Sequence, residues 1–208
     1  MVVAGTNGAG KSSILGAFMA DRGLGYFDPD RFASGLIAAG KAVPEANELA
    51  WRLGYDRLRT AIDRGDDFAF ETTLGGKSIL GELHRALKLR REVRVVYVGL
   101  ASVELHIARV RARVARGGHD IPLAKIRERY GRSLANLVTL IGKASTADVF
   151  DNSTETTDGA PRAELVFRMR GRRITAPSPA KLLLTCPEWA KPLAAAAIRA
   201  SRSRMKRA

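Results

Sequence analysis

One cysteine, Cys186, is all that 208 residues contain. A lone thiol closes no internal disulfide, and without a C-x-x-C pair or a Cys/His cluster the chain offers no thiolate set for structural zinc. Long hydrophobic runs are missing too: nothing reaches the roughly 18 consecutive apolar residues of a membrane-spanning helix. The apolar start Met1-Val2-Val3-Ala4 meets Gly5 at once, too early for the core of a secretory signal. A reducing, cytoplasmic setting is therefore expected, with no membrane partner. Aromatic residues make up only 6%, which disfavours an RNA or single-strand binder, since such proteins interleave stacking rings with their basic groups. No internal repeat is visible. What remains, 46% hydrophobic and 27% charged, is the composition of a globular protein able to bury a core.

Charge is unbalanced, with 35 Lys and Arg against 21 Asp and Glu and a net of +14. Residues 1–84 carry 9 basic and 11 acidic side chains, residues 85–132 carry 13 and 4, and residues 199–208 carry 5 basic and no acidic ones. The excess is regional. Such a region suits a nucleic acid, acidic lipids or the arginine-rich wall of a phosphate site, and composition does not choose among them.

Short apolar runs alternate with longer amphipathic stretches, the pattern of crossover units around a parallel sheet, so the expected class is α/β. Strands are expected over 1–4, 24–27, 68–71, 93–98 and 147–151, and helices over 11–21, 31–39, 45–64 and 79–91. Two further helices, 103–116 and 123–141, are separated by Gly117-Gly118 and form a helical hairpin. An edge hairpin over 164–175 turns at Gly171, and an Ala-rich helix covers 189–198. The implied organisation is a core of 1–155 that includes a lid at 102–142, an appendage at 156–198, and a basic tail at 199–208 expected to be mobile.

Gly5-Thr6-Asn7-Gly8-Ala9-Gly10-Lys11-Ser12 follows the first strand and opens a helix, as G-x-x-x-x-G-K-S must. Glycines let successive backbone N–H groups turn inward around a phosphate, and the helix N-terminus adds partial positive charge. Lys11 reaches the outer phosphates and Ser12, followed by Ser13, offers its hydroxyl to magnesium. A nucleoside triphosphate, ATP or GTP, with Mg2+ is thus expected. The guanine-reading N-K-x-D is absent, and the nearest thing to a second acidic strand is Phe68-Ala69-Phe70-Glu71.

Ligands of doubly wound sheets sit beyond the carboxyl ends of the strands. Asp28-Pro29-Asp30 follows the second expected strand and Glu71-Thr72-Thr73 the third. A kinase needs a carboxylate to orient and deprotonate the acceptor hydroxyl, and Asp30 and Glu71 are the candidates. Either aspartate could instead cap the following helix, and Glu71 could be a surface acid ending its strand.

Together these residues resemble the zeta toxin family. The resemblance rests on the phosphate loop, Asp28-x-Asp30-x-Phe32, Phe70-Glu71-Thr72-Thr73, Gly117-Gly118-His119-Asp120-Ile121-Pro122, Arg129-Tyr130-x-Arg132-Ser133-Leu134-x-Asn136-Leu137 and Asp151-Asn152-Ser153, and covers residues 1 to about 155. It implies a P-loop kinase whose parallel sheet is flanked by helices, with an arginine-rich helical lid, that phosphorylates a hydroxyl of UDP-N-acetylglucosamine, and an antitoxin as protein partner. It also implies Asp30 as general base, Lys11 and Ser12 as triphosphate and metal positions, and Asp28, Glu71, Thr73 and His119 as substrate contacts. One departure stands out: where the family places an arginine soon after the threonine, this chain has Leu74-Gly75-Gly76 and then Lys77. Lid arginines would neutralise the phosphoryl group in flight, and Arg109, Arg113 and Arg116 share one helix face at spacings of four and three. His119 could equally serve the loop, and Arg127, Arg129 and Arg132 a solvated face. Trp51 and Trp189 are expected to pack rather than to stack on bases, and 151–153 either lines the adenine end or is a turn. Another kinase specificity on this scaffold, or an ATP-dependent nucleic-acid binder, stays open on the residues alone.

Overall fold

The computed structural model describes residues 1–12, 26–118, 120–155 and 161–205. Its centre is a six-stranded sheet in the order β2-β1-β3-β4-β5-β6. The strands are β1 (Val2–Ala4), β2 (Phe70–Thr72), β3 (Arg94–Gly99), β4 (Thr146–Glu155), β5 (Pro161–Arg170) and β6 (Arg173–Ala176). The first four in that order run parallel, and the last two are antiparallel to their neighbours. β1 is buried throughout because it lies between β2 and β3, with Val3 opposite both Glu71 and Val96. The chain passes from β1 to β2 on one side and then from β2 across β1 to β3 on the other, a reversal of direction that opens a crevice beyond Ala4.

Seven α-helices are present among the described residues: α1 (Pro29–Ala38), α2 (Val43–Arg64), α3 (Lys77–Lys88), α4 (Val103–Val114), α5 (Leu123–Leu140), α6 (Pro179–Thr185) and α7 (Lys191–Met205). Local chemistry sets several ends. Asp28 caps α1 ahead of Pro29, whose missing N–H is harmless in the first turn. Ser102 caps α4, and Gly65 closes α2 at a φ of 82°. None of these helices is long and apolar enough to cross a membrane.

The α/β architecture expected from the sequence is the one observed, with four differences in detail. Of the expected 24–27 strand, Phe27 makes one parallel bridge to Phe70 at the sheet edge, while 13–25, which hold most of the first expected helix, lie outside the described residues. The edge hairpin turning at Gly171 is longer than expected, opening at Pro161, and pairs along β4 of the main sheet. Helix α6 was not expected at all. Helix α7 begins later and runs on to Met205 rather than stopping at 198, because Ala200 seats against Gly142 and its carbonyl accepts a hydrogen bond from Arg172 at 3.3 Å.

The main core joins the sheet to α5 and α7 through Tyr97, Leu137, Leu140, Phe167 and Leu193. A separate small cluster of Ile107, Val110, Ile121 and Ile126 binds α4 to the start of α5. The helical hairpin therefore has its own apolar centre. Where α5 meets the sheet, the buried Tyr97 hydroxyl and Ser133 satisfy each other at 3.0 Å.

Candidate active site

The phosphate loop turns between Ala4 and Lys11 with Gly8 and Gly10 at φ of 82° and 85°. A side chain would be strained at either, and a Cβ on Gly8 would stand 2.7 Å from the His106 carbonyl oxygen. Three separate elements then hold the loop. His106 Nδ1 of α4 donates to the Asn7 carbonyl at 2.9 Å, Arg129 of α5 donates to Asn7 Oδ1 at 2.8 Å, and Asn152 Nδ2 of β4 donates to the Ala9 carbonyl at 2.9 Å. Burial, joined by the positive charges of Lys11 and Arg109, drives the His106 pKa down to about 4. The ring is thus a neutral donor at physiological pH. Sequence reasoning missed His106 and left Asn152 undecided between a turn and a ligand contact. Asn152 lies within β4, 2% exposed, with its amide under the loop.

Glu71 ends up on the loop. Its Oε1 lies 3.4 Å from Lys11 Nζ, and its Oε2 accepts the Ser12 hydroxyl at 2.9 Å. Lys11 and Glu71 are each 7% exposed, so each charge needs the other while no phosphate is bound. Parallel pairing of β1 with β2 produces this meeting, by setting Glu71 beside the strand that feeds the loop.

The two aspartates divide their tasks. Asp28 Oδ1 accepts the Asp30 and Arg31 amides at 2.9 and 3.2 Å, which makes Asp28 the cap of α1. Partial burial, with Glu71 and Asp30 nearby, raises its pKa. Asp30 stands exposed in the first turn of α1. Both line a cavity of about 490 Å³ together with Lys11, Glu71 and Thr73.

After β2 the chain makes a tight turn in which Leu74, fully buried, takes a φ of 53°. Such a conformation costs a bulky residue about 1–3 kcal/mol and must be held by its surroundings. Thr72 Oγ1 accepts the Leu74 amide at 3.0 Å, and Asn136 of α5 donates to its carbonyl at 2.8 Å. Beside it, a Cβ on Gly75 would stand 3.0 Å from Arg129 Cγ. The glycine thus leaves room for the Arg129 stem.

Among the lid cations, Lys125, Arg129 and Arg132 line the cavity, whereas Arg109, Arg113 and Arg116 are not among its lining residues. Arg109 lies against the loop at Gly8, Arg113 packs over Gly118, and Arg116, in the turn after α4, bonds the Ala112 carbonyl of that helix at 3.2 Å. Arg127 and Arg132 are exposed, as a solvated face requires, but Arg129 is half-buried and bonded to the loop. Ser13 and His119 lie outside the described residues. Trp189 packs in the core at 7% exposure, but Trp51 is 49% exposed on the cavity wall, contrary to the packing role expected of it.

No group of three or more His, Cys, Asp or Glu among the described residues could hold a metal unaided. Mg2+ does not need one, since it keeps several waters and binds through few protein oxygens plus substrate phosphates. The Ser12 hydroxyl beside the Glu71 carboxylate fits that demand with hard oxygen donors.

Comparison with known proteins agrees with this geometry. The family model described as "Zeta toxin" matches residues 1–159. An uncharacterized protein of Haemophilus influenzae (strain Rd) is 32% identical over 126 residues, which is 61% of this chain and 88% of that protein. The crystal structure of AvrRxo1-ORF1:-ORF2 with ATP superposes with a TM-score of 0.62 at 17% identity, covering 91% of this chain but only 64% of its own. A structure from the PezAT chromosomal toxin-antitoxin system of Streptococcus pneumoniae gives 0.54 at 16% identity, covering 99% of this chain and 85% of its own. The fold is that of P-loop kinases, and the chain belongs to the zeta toxin family.

Proposed function

We propose that this protein is a cytoplasmic kinase that transfers the γ-phosphate of ATP to a hydroxyl of a sugar nucleotide, a UDP-activated amino sugar fitting best. The observation that carries the reading is that one cavity, beyond the ends of β1 and β2, is lined by Lys11, Asp30, Glu71 and Arg129. These are the groups that phosphoryl transfer asks for: a phosphate-loop cation, a base, an acid beside the metal-binding hydroxyl, and a further cation for the charge in flight. The triphosphate lies along the loop amides, and Lys11 exchanges Glu71 for the outer phosphates. Ser12, with Glu71 beside it, would hold Mg2+, which would supply positive charge to offset that of the phosphates. Asp30 orients the acceptor hydroxyl and takes its proton. The acceptor oxygen then bonds the γ-phosphorus as the bond to the ADP oxygen breaks, with Arg129 meeting the equatorial charge. Asp28, already committed to the helix cap, positions Asp30. Arg109 supports the loop from behind at Gly8. An antitoxin, as in the PezAT system, is the protein partner this assignment implies.

The test is transfer of labelled phosphate from ATP to UDP-N-acetylglucosamine. Asp30→Asn should bind ATP as wild type does and lose transfer about 10²- to 10⁴-fold, the usual worth of general acid–base catalysis. Transfer within tenfold of wild type would remove Asp30 as the base.

A further inference from the structure

Helix α2 carries Trp51, Tyr55 and Arg59 at successive four-residue spacings, so the three side chains rise along one face. The Trp51 and Tyr55 rings are parallel within 9°, with centroids 5.1 Å apart, and the Arg59 guanidinium lies 5.9 Å from the Tyr55 centroid. Tyr55 sits between them. Its hydroxyl donates to Glu82 Oε1 of α3 at 3.3 Å, and Glu82 is itself held by Arg85 at 2.7 Å. The Tyr55 ring is therefore fixed by a second helix, and Trp51 is stacked on a fixed ring.

This column ends at the cavity. Trp51 remains 49% exposed, yet it lines the same cavity as Asp28, Asp30 and Glu71. A large apolar ring left half in water gains free energy only when something covers it, and a flat π-face prefers a flat partner in an offset stack. Lys125 and Arg132 of the same cavity both pair with Glu128, within reach of polar groups that an acceptor carries beside its ring.

We propose that Trp51, held by Tyr55, is the platform on which the planar heterocycle of the acceptor stacks, so that this side chain sets the preference for acceptors that carry a base. This rests on the kinase reading above and adds a specificity-determining residue to it. Its energetic share is that of one base on one aromatic side chain, which alanine substitution typically exposes as a loss of about 10- to 100-fold in affinity.

The experiment uses the full chain saturated with Mg2+ and a non-hydrolysable ATP analogue, so that the phosphate loop is filled. Tryptophan fluorescence is followed while UDP, AMP, nicotinamide mononucleotide, N-acetylglucosamine 1-phosphate or ribose 5-phosphate is added, with correction for absorbance. At least one heterocycle-bearing probe should quench, the base-free sugar phosphates should not, and the change should vanish in Trp51→Phe. By calorimetry, Trp51→Ala should weaken that probe about 10- to 100-fold and Trp51→Phe less than about threefold. With an active acceptor, Trp51→Ala should raise KM by the same factor and leave kcat within about twofold. Because Trp51 is half exposed, both variants should keep the wild-type melting temperature and ATP-analogue affinity. The proposal is overturned if no heterocycle-bearing probe quenches, if base-free sugar phosphates quench equally, or if Trp51→Ala binds within twofold of wild type. Failure of the kinase reading looks different: the ATP analogue would not bind the wild-type chain, or Asp30→Asn would stay active.

Discussion

Mild acid should loosen the phosphate loop through one buried side chain. His106 is 1% exposed, donates to the Asn7 carbonyl, and faces the positive charges of Lys11 and Arg109. Its pKa falls from 6.5 to about 4 on folding, with burial the leading cause. In an unfolded chain the imidazole takes up its proton as pH falls through 6.5, whereas in the folded protein it resists until about 4. Between these limits the unfolded state binds more protons, so the stability due to a neutral His106 is complete above 6.5 and is lost progressively towards 4. Some 2.5 pKa units at 1.36 kcal/mol each set a ceiling of about 3 kcal/mol, a large part of the 5–15 kcal/mol typical of a domain. Carboxylates titrate over the same range and must be subtracted. His106→Asn serves for this, because its amide can reach the same carbonyl and takes no proton. Urea unfolding of both proteins at pH 7, 6, 5 and 4.5 should show the wild type losing about 1 kcal/mol per pH unit relative to the variant below pH 6. Parallel profiles for the two proteins over that range would refute the argument.

Local signals in the sequence located the phosphate loop, a cap at one of Asp28 and Asp30, and a strand at 93–98 that the structure shows as Arg94–Gly99, because each depends on neighbours in the chain. The lid cations show where that stops. Arg109 and Arg113 do share a face of α4, with Arg116 in the turn that follows, but a shared face carries no label saying what lies opposite. A second signal lies in α5, where Arg129 falls in the stripe of Ile126, Ser133, Leu137 and Leu140, all buried. An arginine on a buried stripe must have a partner, and Asn7 is that partner, 122 residues away. His106 follows the same rule, lying beside Ile107 and Val110 on the buried side of α4. Glu71 was recognisable as the end of a strand, but its contact with Lys11 and Ser12 follows from β2 pairing beside β1, which no local pattern specifies. The joining of Pro161–Arg170 to β4 is likewise a long-range pairing, and the far end of α7 is fixed by Gly142 and Arg172 rather than by helix propensity.

Arg129→Ala should lower transfer more than tenfold, because it removes both a cation of the cavity and the bond to Asn7, while Arg116→Ala, at an exposed residue bonded to the Ala112 carbonyl, should change the rate less than about twofold. Steady-state kinetics giving the reverse order would return the role to α4. Asp28→Ala should cost about 1 kcal/mol in urea unfolding through loss of the α1 cap, whereas Asp28→Asn, which keeps the acceptor and removes a charge that burial and Glu71 disfavour, should be neutral or slightly stabilising at pH 7. Gly99→Ala tests how the C-terminal segment supports the loop. A Cβ on Gly99 would stand 2.2 Å from Trp189 Cη2, and one on Gly5 would stand 2.2 Å from the Val98 carbonyl oxygen, so the end of β3 is pressed between the indole and the first residue of the phosphate loop. The added methyl has nowhere to go unless the ring or the strand moves, an overpacking that typically costs about 1–3 kcal/mol. If the strand moves, the loop moves with it, and affinity for ATP should fall along with the melting temperature. Trp189→Leu vacates the space at the expense of its own packing, so the double variant should be less destabilised than the two single losses added together. Strict additivity of the two substitutions would show that Trp189 does not press on β3, and unchanged ATP affinity in Gly99→Ala would show that the strain stops short of Gly5.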